Sequence, residues 1–394
     1  MDLTPTPEER AFLAELREFL RDELPPHIRD RVACGLPPEG HDLVTWQRIL
    51  HARGWGAPHW PVEHGGTGWG PRQRLMFQRE LLKAAAPEPH GLNMNLVGPV
   101  LIRFGNAEQQ RRFLPRLLTM DMIFCQGFSE PEAGSDLAAV RTTARLDGDH
   151  YIVNGQKTWT SFARQADWIF CLVRTDSTAA KPQLGISFLL VELNSPGITQ
   201  RPISTIDGEA HLNEIFFEDV RVPAANLVGE PNRGWDYAKY LLVNERVGIA
   251  RTGRTRERLR RAKTLAIRTH EAGAALIDQP GWRRRIAEIE AQLAALEVTE
   301  LRMASAADPG SMDTLGAILK LRGSELQQAA NELLCEMGGL RGLRMEPEHN
   351  GEEEDPDWLR SLGAAYFYSR SQSIFGGTNE IQRNIIAKAS LGLR

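Results

Sequence analysis

The apolar spacing of this chain changes period twice, and nothing else in the sequence restricts the fold as much. Up to about residue 118, apolar residues recur three and four apart, the spacing of one helix face. Phe12, Leu13, Leu16, Phe19 and Leu20 form one such stripe. From about 122, short runs rich in Val, Ile, Thr and aromatic residues alternate with turns, at 122–128, 138–146, 150–160, 167–175, 184–193 and 213–220. From Gly234 the helical spacing returns. The order α, then β, then α predicts an α+β chain. A helical domain is expected over 1–121, a small antiparallel barrel or sandwich over 122–232, and a helical bundle over 233–394. A length of 394 residues exceeds one core of usual size, which agrees with two or three packed subdomains.

Local signals place the elements. Thr6-Pro7-Glu8-Glu9 starts a helix over 7–24, and Pro25-Pro26 ends it. A second helix, 42–53, carries Trp46, Ile49 and Leu50 and stops at Gly54. Gly and Pro dominate 54–70, which reads as irregular. Further helices are expected at 71–85, 92–104 and 107–118, the last capped by Asn106 with Glu108 in its first turn. Beyond the β segment, 235–270 reads as one long helix, followed by 282–306, 312–337, 358–370 and 378–390. Residues 176–183 form a polar loop, and the acidic 346–357 a solvated excursion.

Several function classes are disfavoured at once. A net charge of −4 argues against a nucleic-acid binder. The segment MDLTPTPEER is acidic and polar, unlike a secretory signal. No apolar run approaches the roughly 20 residues that span a bilayer, so no membrane association is expected. Cys34, Cys125, Cys171 and Cys335 stand apart, which reads as buried free thiols in a reducing, cytoplasmic setting. No His/Cys cluster has metal-ligand spacing, and neither a GxGxxG nor a Walker loop is present.

Three places could carry chemistry. In 124–161, Gly127, Gly134 and Gly155 allow close backbone approach, Ser129, Ser135 and Ser161 offer hydroxyls there, and Trp159 adds a flat apolar face. That set suits a planar, heteroatom-rich ligand. A plain β-hairpin turning at Asp147-Gly148-Asp149 accounts for much of it equally. Glu245 has Leu241, Leu242, Gly248 and Ile249 as its helical neighbours. A carboxylate on such an apolar face is a candidate general base, its affinity for protons raised by desolvation. It is equally a partner for an arginine across a helix interface. The segment Ser373–Arg383 joins two helices: Gly376 and Gly377 free the backbone, and Thr378 can cap the final helix. The N-terminus of that helix could receive a phosphate or ribityl oxygen, or be a bare cap. Arg251, Arg254, Arg256, Arg258, Arg260 and Arg261 make a basic stretch that reads as a solvated face, from which some could reach phosphates.

Taken together, these residues resemble the acyl-CoA dehydrogenase family over nearly the whole chain. Gly127-Phe128-Ser129-Glu130 through Ala133-Gly134-Ser135-Asp136 looks like its first signature, and Asn154-Gly155-Gln156-Lys157 with Trp159 like the continuation. Phe216–Pro223 resembles the end of its β domain, and Phe375–Arg383 its C-terminal signature. The resemblance implies a helical domain, a middle β domain and a C-terminal four-helix bundle, with FAD between the last two. By position, Gln126, Phe128 and Ser129 would meet the flavin edge, Trp159 its face, and Ser161 its reactive nitrogen. Thr378 and Glu380 would approach the ribityl, phosphate or ribose groups. Ser135, Arg246 and Gly376 would face the acyl-CoA.

The implied reaction is α,β-dehydrogenation of an acyl-CoA thioester, with electrons passed to an electron-transfer flavoprotein. Members often carry the base just before the final Gly-Thr, where this chain has Gly376. A minority carry it on the helix after the β domain, and Glu245 matches that position. Two further departures bear on FAD. Gln279-Pro280-Gly281-Trp282 stands where many members have an Arg followed by Phe-Gly, and Cys335 stands where a Gln precedes Gly-Gly. Similar departures occur in bacterial members that act with an unlike chain, including pimeloyl-CoA dehydrogenase large subunits. The expected assembly is a homodimer, a homotetramer, or a heterotetramer with a second such chain. The competing readings are a non-catalytic partner subunit, and a flavin oxidase for acyl-CoA or nitroalkanes.

Overall fold

The computed structural model describes residues 4–304, 309–343, 359 and 361–393. The chain begins with helices α1 (Pro7–Glu23), α2 (Pro26–Ala33), α3 (Gly40–Ala52) and α4 (Pro71–Lys83). A π-helical stretch, Leu92–Val97, leads into α5 (Gly98–Phe104), and α6 (Ala107–Leu118) follows. Seven strands come next: β1 (Phe124–Gly127), β2 (Thr143–Asp147), β3 (His150–Ser161), β4 (Trp168–Arg174), β5 (Ile186–Glu192), β6 (Ile198–Ile203) and β7 (Leu212–Pro223). Then come α7 (Gly234–Ile249), α8 (Thr252–Arg268), a small hairpin of β8 (His270–Glu271) and β9 (Ala274–Ala275), α9 (Pro280–Ala304), α10 (Pro309–Gly342), α11 (Leu362–Ser369) and α12 (Asn379–Leu391). Packing divides the chain into two compact units. One holds Met1–Asp42, Trp69–Glu88 and Arg246–Arg394; the other holds Leu43–Gly68 and Pro89–Glu245.

The second unit is built on a curled, seven-stranded sheet of order β1-β4-β2-β3-β7-β6, with β5 on β4. The central strands are apolar on both faces because both faces are covered. Phe124, Trp168, Phe170, Leu172, Phe188 and Leu190 pack with α5, α6 and α7 residues such as Leu101, Phe113 and Leu241. The alternate residues Cys125, Ile169, Cys171, Val173, Leu189 and Val191 meet Val153, Ile215 and Phe217 on the other side. Buried Asn93 ties the π-helical stretch to this sheet: its Nδ2 donates to Met122 O at 2.8 Å, and its Oδ1 accepts from Phe124 N at 3.0 Å.

The sheet is mixed rather than wholly antiparallel. β1 and β2 both run parallel to β4, while the remaining pairs are antiparallel. The β2–β3 hairpin separates β1 from β4 in sequence, so no tight turn forces those strands to oppose. Side-chain alternation is the same in either direction, which hides the difference from the sequence.

In the first unit α10 is central, packing on α8, α9, α11 and α12, and α1 and α8 both pack on α4. Its core includes Leu259, Leu293, Leu319, Leu333 and Leu362. The expected single helix over 235–270 is two helices. Arg251 stands in the left-handed region (φ 46°, ψ 40°) and closes the ladder. α10 approaches closely at the break: a Cβ on Gly323 would lie 2.6 Å from Ala250 Cα. The apolar spacing runs through this break and masks it. The acidic segment 346–357 lies outside the described residues, as do 358 and 360, and within the expected helix 358–370 the structure has α11 at Leu362–Ser369.

Candidate active site

The β-containing unit presents one organised face. β1 ends at Gly127, and the chain turns tightly at Glu130–Ala133, whose backbones exchange two hydrogen bonds of 3.0 Å. Lys157 on β3 holds that turn from within. It is fully buried, and its Nζ donates to Glu130 Oε1 at 2.6 Å, Leu172 O at 2.6 Å and Phe128 O at 3.3 Å. Glu130 also accepts from the Arg141 and Thr142 backbone at 2.6 and 3.0 Å. Burial works against the Glu130 carboxylate, but Lys157 and these donors outweigh it and hold its pKa below the usual range. Burial draws the Lys157 ammonium down, against the pull of Glu130.

This frame fixes 128–130 against β3, with Thr158 N donating to Ser129 O at 2.9 Å. The β3–β7 register slips between Lys157 and Thr160. Trp159 therefore sits in a bulge at φ 58°, with 59% of its surface exposed. Phe128 is buried, stacking edge-on to Phe170 and Phe188. Gln126, Ser129 and Ser161 are half-buried, and Ser135 is exposed. Inside the sheet, Thr160 Oγ1 and Asn213 Oδ1 are buried without a partner among the described residues. An aromatic face held in strained backbone, with the half-buried polar groups of Gln126, Ser129 and Ser161 in the same stretch, fits a flat ligand with heteroatoms at its edge.

In the bundle, Thr378 caps α12, its side chain accepting from Ile381 N at 3.2 Å. Gly376 and Gly377 precede it with φ of 65° and 83°, and a Cβ on Gly377 would stand 2.6 Å from Gln382 Nε2. Gln382 Nε2 donates to the Gly377 and Gly376 carbonyls at 3.2 and 3.4 Å, pinning the loop. Buried Asn379 accepts from Lys320 Nζ at 2.9 Å and from Ser324 Oγ at 3.1 Å. Glu380 is exposed in the first turn. A small cavity behind this loop is lined by Arg251, Lys320, Ser324, Gln327, Gln372 and Phe375. Of these, Gln327 Oε1 and Gln372 Oε1 are buried without a partner among the described residues.

α7 carries Glu245 and Arg246 in helical backbone, but their side chains lie outside the described residues. Cys335 is buried, its thiol pushed up to about 11 by burial and donating to Leu362 O at 3.3 Å. Gln279 donates to Glu271 O at 3.2 Å, just ahead of α9. The pairing of Glu130 with Lys157, and the supports given by Asn379 and Gln382, lay inside the motifs but were not read from them. Among the described residues, no group of three or more His, Cys, Asp or Glu side chains could hold a metal ion, and no helix is long and apolar enough to cross a membrane.

Sequence profiles of the N-terminal, middle and C-terminal domains of acyl-CoA dehydrogenase match residues 6–121, 125–220 and 232–391. The chain belongs to the acyl-CoA dehydrogenase family, flavoprotein oxidoreductases that dehydrogenate acyl-CoA thioesters. It is 37% identical over 401 residues to the acyl-CoA dehydrogenase IpdE1 of Mycolicibacterium smegmatis, covering 98% of each chain. Among solved structures it resembles the ChsE4-ChsE5 complex from Mycobacterium tuberculosis, with a TM-score of 0.83, 33% identity and 100% of both chains covered. It also resembles the Tcur3481-Tcur3483 steroid ACAD, with a TM-score of 0.86, 29% identity and the same coverage.

Proposed function

We propose that this chain converts an acyl-CoA thioester to the trans-2-enoyl-CoA, with Glu245 as the base, FAD as resident cofactor and an electron-transfer flavoprotein as onward partner. The observation that carries the assignment of the base is Gly376. It stands where many family members keep a carboxylate, and its φ of 65° belongs to a glycine. The loop therefore offers backbone and no base, which leaves Glu245 on α7.

The α proton of a thioester is weakly acidic, so its removal needs a polarised carbonyl and a desolvated base together. The Gly376 N–H would donate to the thioester carbonyl, and Glu245 would take the α proton. When bound, FAD supplies the acceptor for the β hydrogen. Trp159 would cover one face of the flavin, while Gln126, Phe128, Ser129 and Ser161 would line its edge. Thr378 and Glu380 would hold its ribityl, phosphate or ribose oxygens, and Ser135 and Arg246 would contact the acyl-CoA.

Glu245→Gln tests the assignment. The variant should keep its flavin absorbance and lose turnover by about 10²- to 10⁴-fold. Near-normal turnover would exclude Glu245 as the base. A second reading, a subunit that completes a partner's site, is favoured by the similarity to ChsE4-ChsE5 and Tcur3481-Tcur3483, both named as pairs. Protein that is colourless alone and gains FAD only with an unlike chain would establish it. Oxygen consumption without another acceptor would instead mark an oxidase.

A further inference from the structure

α8 turns Arg254 and Arg258, four residues apart, to one side, and Arg251 at its N-cap lies close enough to act on Arg258. Glu88 is the carboxylate that pairs with Arg254. Arg254 Nη2 donates to its Oε2 at 2.8 Å and Gln78 Nε2 to its Oε1 at 2.7 Å, so both oxygens are engaged. Arg258 makes no ion pair among the described residues. Its Nε donates to Asn331 Oδ1, and its two terminal nitrogens have no hydrogen-bond partner among the described residues. That bond also fixes the Asn331 amide, so the buried Nδ2 of Asn331 is left as a donor without an acceptor among the described residues. Burial, with Arg254, Arg261 and Arg251 nearby, pulls Arg258 down to about 9. A solvated arginine face would neither do this nor bury an unpaired amide beside it.

At Arg258 and Asn331, donors outnumber acceptors among the described residues. The face also begins at the proposed site: the Arg251 guanidinium lies 5.8 Å from the ring centre of Phe375, the residue before Gly376. Arg258 lies seven residues further along α8, about 10 Å at helical rise.

We propose that this arginine face receives the far end of the acyl group, and that this end carries acceptor oxygens, a carboxylate in preference to a neutral ketone. The inference rests on the acyl-CoA dehydrogenation proposed above. Arg258 would meet the carboxylate through its terminal nitrogens, with Asn331 Nδ2 as a third donor and Arg254 beside them. The phosphates of CoA do not serve as the ligand, because the whole pantetheine arm separates them from the thioester.

The test compares three thioesters of equal length, ending in a carboxylate, a methyl ketone and a methyl group, on the FAD-loaded protein under anaerobic conditions. Flavin bleaching gives kcat/KM for each, and calorimetry gives binding. The expected order is carboxylate, ketone, methyl, with about a tenfold or greater advantage for the first over the last. Arg258→Met should remove that advantage and leave the methyl-ended substrate unchanged. Arg258→Lys, which keeps the charge, should restore part of it and guards against a folding defect in the first variant. Equal rates for the three, or a preference for methyl, overturn the proposal. An equal loss on all three, with weaker inhibition by free CoA, overturns it in favour of a CoA phosphate contact. If no thioester bleaches the flavin, the proposed activity falls. Calorimetry then decides this inference separately: it survives if the carboxylate-ended thioester binds and Arg258→Met weakens that binding about tenfold, and falls otherwise.

Discussion

At the scale of single residues, the β face holds strain and charge where a surface strand would carry neither. Trp159 is exposed and left-handed, so it contributes little burial and stores backbone strain, on the order of 1–2 kcal/mol. Trp159→Gly relieves that strain and loses backbone order of similar size. Stability in urea should therefore stay within about 1 kcal/mol of the parent, while FAD affinity, read by flavin fluorescence, falls. A large stability loss would mean that the indole is a packing residue. Lys157 is the opposite case. Lys157→Met strands Glu130 as an unpaired buried carboxylate and should destabilise the fold by about 3–5 kcal/mol. Replacing both partners by apolar residues should recover only part of this, because the Arg141 and Thr142 N–H groups and the Leu172 carbonyl would lose their partners. Chemical denaturation of the single and double variants measures both.

At the scale of elements, a second buried carboxylate joins three helices. Glu300 on α9 accepts from Thr252 Oγ1, at the start of α8, at 2.8 Å and from Arg79 on α4 at 3.2 Å. Burial is the largest influence and raises its pKa in spite of these donors. The folded state thus holds this proton more tightly than the unfolded chain. The stability it confers is complete below the ordinary glutamate range and is lost as pH rises through the raised value. Urea midpoints from pH 4 upward should show that loss, and Glu300→Gln should flatten it. An unchanged slope would show that Glu300 is not the titrating group. Such links are what the sequence could not display. The caps were legible, because Thr6 with Glu9 and Asn106 with Gln109 are local and close as capping boxes. The buried strands were legible as apolar runs. Edge strand β6 was not, because its polar centre, Thr199-Gln200-Arg201-Pro202, lacks an apolar stripe and contains a proline. α2 was hidden behind Pro25-Pro26, where Pro26 opens a helix instead of only ending one. Within the site, motif residues could be named, but the pairing of Glu130 with Lys157 across 27 positions is set by tertiary packing alone.

At the scale of the whole molecule, the four cysteines report on how the chain opens. None is in a disulfide. Cys125 and Cys171 lie in one core of the β-containing unit, and Cys335 lies in the helical one. Burial pushes Cys171 up to about 12 and Cys335 to about 11, and raises Cys125 well above its ordinary value. The thiolate is the reacting species, so these three should be inert in the folded state near neutral pH. Cys34, at the end of α2, is half-buried. Native protein treated with a maleimide should therefore be labelled at Cys34 alone, denatured protein should be labelled at all four positions, and added reductant should leave Tm unchanged. Under rising urea, Cys125 and Cys171 should become reactive together, because they share one core and β1 pairs directly with β4. Peptide mapping by mass spectrometry reads each site separately. Labelling of Cys125 at urea concentrations where Cys171 is still protected would show that β1 detaches from β4 before that core opens.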